Sequence, residues 1–135
     1  MRVTVLSGTS ILPPPDLDAL VVRGAERAAQ RHRLRGPLLL LTVEDRPIAL
    51  AAFRMTDGEF QVTECALLRK LAGDEELAEV VIDTLETVAL ACGASRLVIY
   101  TASRVLRRVI RLVGYVPRAT PERTGFERRF PRTAA

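Results

Sequence analysis

The sequence predicts a mixed α/β fold, a mostly antiparallel sheet with helices on both faces. The first observation is a succession of strand-like runs at 37–43 (PLLLLTV), 47–55 (PIALAAFRM) and 60–68 (FQVTECALL). Their connections, Glu44-Asp45-Arg46 and Thr56-Asp57-Gly58-Glu59, are short and turn-rich, as in an antiparallel meander. The second is a helical stripe: Leu77, Val80, Val81, Thr84, Leu85, Val88, Ala89 and Cys92 recur at i, i+3, i+4, i+7, ahead of Gly93 as a C-terminal stop. The third is a short buried-type strand at 96–101 (RLVIYT), succeeded by an amphipathic run at 104–113 closed by Gly114.

The other elements can be justified from the N-terminus onward. Residues 2–6 (RVTVL) alternate as a strand, and the Ile-Leu-Pro-Pro-Pro run at 11–15 stops it because proline donates no ladder hydrogen bond. A helix comes next, capped by Asp16 or Asp18. Its narrow apolar stripe is Leu17, Leu20, Val21, Gly24, Ala28 and Ala29, with Arg23, Arg27, Arg31 and Arg33 outward, and it fades near Arg35-Gly36-Pro37. The 37–43 run is apolar on both faces, which places it inside the sheet. Acids at Asp74, Glu75 and Glu76 suit the first turn of the long helix, and Thr101 or Ser103 can cap the later one. Residues 116–118 and 124–130 supply one or two last strands around a Pro121 loop, and the tail from Thr133 is expected to fray.

Length and composition bound the function. A chain of 135 residues, 48% hydrophobic, is one domain (1–135) able to bury a core, and no apolar run approaches a membrane span. No secretory leader pattern opens it, and Cys65 and Cys92 form no spacing motif, so a reduced cytoplasmic setting is expected. The single His32 excludes His-rich metal chemistry and, flanked by Arg31 and Arg33, reads as a surface residue. Cys65 reads as core, since no histidine lies near it in sequence. Lys70 is the sole lysine beside 19 arginines, which GC-rich codon usage alone would produce. The net charge of +4 conceals a polarity: residues 103–135 carry nine arginines against Glu122 and Glu127, whereas residues 74–86 hold six acids and no base. Arg104, Arg107, Arg108 and Arg111 form one stripe along the later helix, opposite Val105, Val109, Leu112 and Val113. That stripe is either a solvated face or a surface for a phosphate, an acidic acceptor, RNA or another subunit's acidic helix. With 4% aromatics and no helix-turn-helix or RNA-binding signature, nucleic acid is disfavoured.

Residues 80–100, VVIDTLETVALACGASRLVIY, together with Val113-Gly114-Tyr115, resemble the GCN5-related N-acetyltransferase (GNAT) superfamily, and the likeness covers about residues 37–118. It implies that the fourth and fifth strands splay apart and that acetyl-CoA is the cosubstrate, with an amine as acceptor. Residues 64–69 would then be the pantetheine platform, with Ala66, Leu67, Leu68 and Arg69 lining it. Glu64 would be the general base, in an otherwise apolar stretch. The family's pyrophosphate loop falls on 73–78, touching Gly73, Leu77 and Ala78, of which only Ala78 fits the family pattern. Glu76 stands where the family has glycine, and Asp74, Glu75, Glu76 and Glu79 place acids where a diphosphate would dock. Like charges ~5 Å apart at an effective dielectric of about 20 repel by roughly 3 kcal/mol before screening. Arg69 and Lys70 are alternative phosphate ligands. Ser103 stands where an asparagine often opens the later helix, and Ile110 stands where a tyrosine acid commonly sits. Three functions are compatible with these residues: a small acyl-CoA-dependent N-acetyltransferase, a catalytically degenerate binding or regulatory module that can form a homodimer, and, least favoured, an RNA-associated basic protein.

Overall fold

The computed structural model describes residues 2–6, 19–68 and 73–131. Along them run β1 (Arg2–Leu6), α1 (Ala19–Arg31), β2 (Leu38–Val43), β3 (Arg46–Thr56), β4 (Glu59–Leu67), α2 (Glu75–Ala91), β5 (Arg96–Ile99), α3 (Arg104–Leu112), β6 (Val116–Ala119) and β7 (Thr124–Arg129). The expected order holds, and both closing strands form. The proline run, Asp16, Leu17, Asp18 and the tail from Thr133 lie outside the described residues, as do the side chains of Leu20 and Val21.

The strands make one sheet in the order β1-β2-β3-β4-β5-β7-β6. Every neighbouring pair is antiparallel except β4 and β5, which run parallel and are joined by the α2 crossover. The two tight hairpins turn on left-handed residue pairs, Glu44 (φ 51°) with Asp45 (φ 62°) and Asp57 (φ 46°) with Gly58 (φ 75°). Paired positive φ values give the backbone twist that matches the sheet's own.

Successive side chains of β2 serve opposite faces. Leu38 and Leu40 pack with Ala25, Ala28 and Ala29 of α1, whereas Leu39 and Leu41 join the core beneath α2 and α3. Helices therefore cover both faces, as predicted. Three stripes differ in detail. In α1, Gly24 is exposed and Ala25 takes the buried place. In α2 the buried line is Ala78, Val81, Ile82, Leu85 and Ala89, leaving Val80 and Cys92 outside. In α3, Leu106, Val109 and Ile110 are buried while Leu112 is 74% exposed. At 100° per residue, the direction opposite the four arginines falls on Val113, with Leu106 and Val109 equally close on either side and Leu112 at the border. No helix among the described residues is long and apolar enough to cross a membrane.

One irregularity shapes the centre of the sheet. Between β3 and β4 the register runs Ala52↔Glu64 and then Phe53↔Val62, so Thr63 has no partner of its own. A bulge of this kind reverses the alternation of the strand. Phe60 and Val62 face α2 and α3 before it, and Cys65 and Leu67 face them after it.

At the start of β4 the buried carboxylate of Glu59 accepts hydrogen bonds from Gln61 Nε2 (2.8 Å), Arg118 Nη1 (2.9 Å) and Arg96 Nε (2.8 Å), binding β4, β5 and β6 together. Burial works to raise its pKa, but the hydrogen bonds from Gln61, Arg118 and Arg96 prevail and hold it below the usual carboxylate value. Its stabilisation is thus fully present above the ordinary carboxylate pKa and is lost as the pH falls through the lower folded value. Replacing Glu59 by glutamine should cost about 1.5–3 kcal/mol at pH 7. Urea unfolding at pH 7 and again in acid should show the gap between variant and parent closing at the lower pH.

Candidate functional site

β4 and β5 pair only from Glu59↔Arg96 to Val62↔Ile99, the last rung being Tyr100 N–H donating to Val62 O at 2.9 Å. β4 continues to Leu67 and β5 stops at Ile99, so the two strands part into a fork just beyond the bulge. Leu68 N–H donates to Ile48 O at 2.9 Å, which fixes the phase of the β3–β4 ladder. Alternation then turns the backbone groups of Glu64, Ala66 and Leu68 toward β3, and those of Cys65 and Leu67 toward the fork. Cys65 O already accepts the Thr101 hydroxyl at 2.5 Å. The backbone of Leu67 and the N–H of Cys65 form the open edge.

The bulge also sets Glu64. It stands opposite Ala52, which packs against α1, so Glu64 lies on the α1 side of the sheet rather than sharing a face with Val62. Its Oε1 accepts the Ala102 N–H at 2.9 Å and its Oε2 accepts Arg123 Nη2 at 2.7 Å. Arg123 Nη1 donates to Thr63 O at 2.6 Å, and the guanidinium lies 5.1 Å from the centroid of the Tyr100 ring. The bulge carbonyl, the carboxylate and the ring thus hold Arg123 at once. The Glu64 side chain remains 22% exposed and that of Arg123 43%. Arg123, 59 positions away between β6 and β7, carries no local sequence signal for this place.

In chain order, α2 is the next element after β4. Asp74 caps the helix, its side chain accepting the Leu77 N–H at 3.1 Å, and Ala78 N–H donates to Asp74 O at 3.0 Å. Gly73 is exposed, Leu77 half-buried and Ala78 fully buried, while Arg69 and Lys70 lie outside the described residues. Glu75, Glu76 and Glu79 are exposed around this turn, and Arg108 of α3 reaches Glu75 at 2.9 Å. Two sequence expectations meet in that ion pair: the basic stripe touches the acidic helix of its own chain. Ser103 caps α3, its hydroxyl accepting the Leu106 N–H at 3.3 Å.

Comparison with protein-family models and with curated proteins gives no match. Comparison with solved structures does. A candidate acetyltransferase of the GNAT family from Desulfovibrio desulfuricans superposes with a TM-score of 0.58 at 16% identity, over 95% of this chain and 99% of its own. PaiA N-acetyltransferase from Thermoplasma acidophilum, in complex with coenzyme A, gives 0.57 at 9% identity over 96% and 100%. The chain has the GNAT fold. The ribosomal-protein-S18-alanine N-acetyltransferase of Escherichia coli, at 0.53 and 14% identity over 93% and 91%, shares it.

Against the GNAT resemblance, Ile110 is fully buried in the core, where it offers no proton. Tyr115 is buried too, donating its hydroxyl to Glu86 Oε1 at 2.6 Å, and burial together with the Glu86 contact pushes its pKa upward. Tyr100, half-buried at the fork, is the tyrosine left near Glu64. Cys65 is buried, and desolvation, with a smaller push from the charge of Glu64, raises its thiol pKa to about 12, which removes it as a nucleophile. His32 is exposed on the turn after α1.

The Tyr100 ring packs directly on Gly125 of β7. A Cβ at that position would meet ring carbons of Tyr100 at 2.7 Å and 2.9 Å. The substitution Gly125→Ala should therefore push the ring out from beneath Arg123 and cost about 1–3 kcal/mol, as overpacking does. Thermal unfolding of the variant, with tyrosine fluorescence reporting the ring's surroundings, checks this.

Proposed function

We propose that the chain is a small acyl-CoA-dependent N-acetyltransferase, a single domain over residues 1–135, acting on an amine. The observation that carries the reading is the fork: beyond Val62 and Ile99 the sheet opens and leaves the Leu67 backbone and the Cys65 N–H without a strand partner among the described residues. An extended amide-bearing arm can add to such an edge as a short strand does. The likeness to an N-acetyltransferase in complex with coenzyme A supports the same use of the fold.

The residues fit acetyl-CoA unevenly. The pantetheine arm suits the fork, where Leu67 lies on the open edge and Ala66 and Leu68 support it from the β3 side. The diphosphate fits the start of α2 poorly, because Asp74 consumes the Leu77 N–H and Glu75, Glu76 and Glu79 crowd the turn. Acetyl-CoA supplies an activated thioester carbonyl for the incoming amine. Glu64 takes the amine proton through a water: each carboxylate oxygen has a second lone pair beyond the bonds to Ala102 and Arg123. The Ala102 N–H and Arg123 hold it in place, and Tyr100, whose ring lies against Arg123, is the tyrosine that returns a proton to the departing thiolate. Free thiols at Cys65 and Cys92 suit a reducing cytoplasm.

The second reading is a binding module of the same fold that has lost catalysis and can pair with a second copy. The acidic, self-capped start of α2 and the buried Ile110 favour it. Calorimetric titration of acetyl-CoA decides between them. Saturable binding together with a drop in acetyl transfer of about 100-fold or more for Glu64→Gln is expected from the transferase. Absence of binding at millimolar acetyl-CoA would sink it, and binding with transfer unchanged by Glu64→Gln would remove Glu64 from the role.

A further inference from the structure

The arginines of α3 take no part in the fork. Arg104, Arg107, Arg108 and Arg111, with Leu112, line an open depression of about 510 Å³ on the outer face of that helix. Their charges are unevenly answered. Arg108 pairs with Glu75 at 2.9 Å, and the Arg111 guanidinium sits 5.5 Å from the centroid of Phe126. Arg104 has neither an ion-pair nor a hydrogen-bond partner among the described residues, and the Nε of half-buried Arg107 is shut away from water with no hydrogen-bond partner there.

With its Nε turned into the fold and unpartnered, Arg107 keeps its full positive charge, and its terminal nitrogens are the donors left to meet an anion in the depression. Like charges at i, i+3 and i+4 repel along a helix, so the stripe is a strained arrangement that an anion would relieve. The planar fork of a guanidinium matches phosphate oxygens bidentately, and several forks on one face suit more than one phosphate group. The positive end of the α3 dipole lies at the Arg104 end of the same stripe. Leu112, 74% exposed on the rim, adds the apolar surface on which a planar ring can rest.

We infer that this depression binds a nucleotide carrying phosphate monoesters, with Arg104 and Arg107 as its principal ligands and Leu112 against the base. Two sources share that chemistry, a free nucleotide and the nucleotide end of coenzyme A; only the second rests on the acetyltransferase reading. In that case the phosphates seat on α3 and not on the acidic start of α2, and Arg108, already neutralising Glu75, joins the two regions.

The probe is adenosine 3′,5′-bisphosphate, titrated calorimetrically into the full chain beside adenosine and a single-stranded RNA oligomer. The bisphosphate is expected to bind, adenosine to bind far more weakly, and the bisphosphate affinity to fall as salt is raised. The double variant Arg104→Gln/Arg107→Gln should weaken bisphosphate binding at least about tenfold, the loss of two charge-assisted phosphate contacts. If replacing half-buried Arg107 prevents folding, Arg104→Gln/Arg111→Gln reads the same loss with Arg107 left in place. Equal affinity for bisphosphate and adenosine, unchanged binding in the variants, or binding of the RNA oligomer alone would each overturn the site. Acetyl-CoA binding separates the sources: if weakened in parallel by the arginine variants, the nucleotide end of the cofactor is the occupant. Bisphosphate binding without acetyl-CoA binding leaves this site standing and defeats the transferase reading instead.

Discussion

The unpartnered residue Thr63 in β4 governs the rest of the arrangement. Without a bulge, strict alternation along β4 would set Glu64 beside Phe60 and Val62 in the core beneath α2 and α3, an uncompensated carboxylate in an apolar layer. With it, Cys65 and Leu67 take the core side and Glu64 emerges on the α1 side, within reach of Arg123 and the Ala102 N–H. Bulges also bend a strand, and β4 parts from β5 just past this one. Orientation of the carboxylate and opening of the fork therefore share one structural cause.

Arginine does the joining on both sides of that point. Below it, Arg96 and Arg118 neutralise Glu59 and tie β4 to β5 and β6. Above it, Arg123 uses one nitrogen on the Thr63 carbonyl, another on Glu64 and its flat face on Tyr100. An ammonium has no planar face to stack and no fork to divide between two oxygens, so lysine could not replace it. The arginine excess has a structural use here whatever its genomic origin.

The elements are readable from sequence because their signals are local: paired turn residues, a run of leucines needing two covered faces, Ser103 at a helix cap and glycines at helix ends. The rotation of α2 is not. Residues 77–90 are apolar around more than half of the helix, and only the packing of Ala78 and Ile82 against the sheet, in place of Val80 and Cys92, selects the buried line. In α3 the arginines do mark the outer face, and their direction picks out Leu106 and Val109, whereas Ile110 stands no nearer the opposite point than half-buried Val105 and only packing decides between those two. The site is half legible. The family resemblance marks Glu64, but its face depends on a bulge that no residue type announces, and its partner Arg123 comes from a distant loop. Glu59 looks like a turn residue in the sequence, whereas two of its three hydrogen-bond partners, Arg96 and Arg118, arrive from distant stretches of chain.

The most direct test of the fork is amide hydrogen exchange resolved at single residues along β4. The Leu67 N–H should exchange on the order of tenfold or more faster than that of Leu68, which is bonded across to Ile48, and addition of acetyl-CoA should slow Leu67 selectively. Equal protection of Leu67 and Leu68 in the free chain would mean that β4 is paired on both sides to its end and that no fork exists.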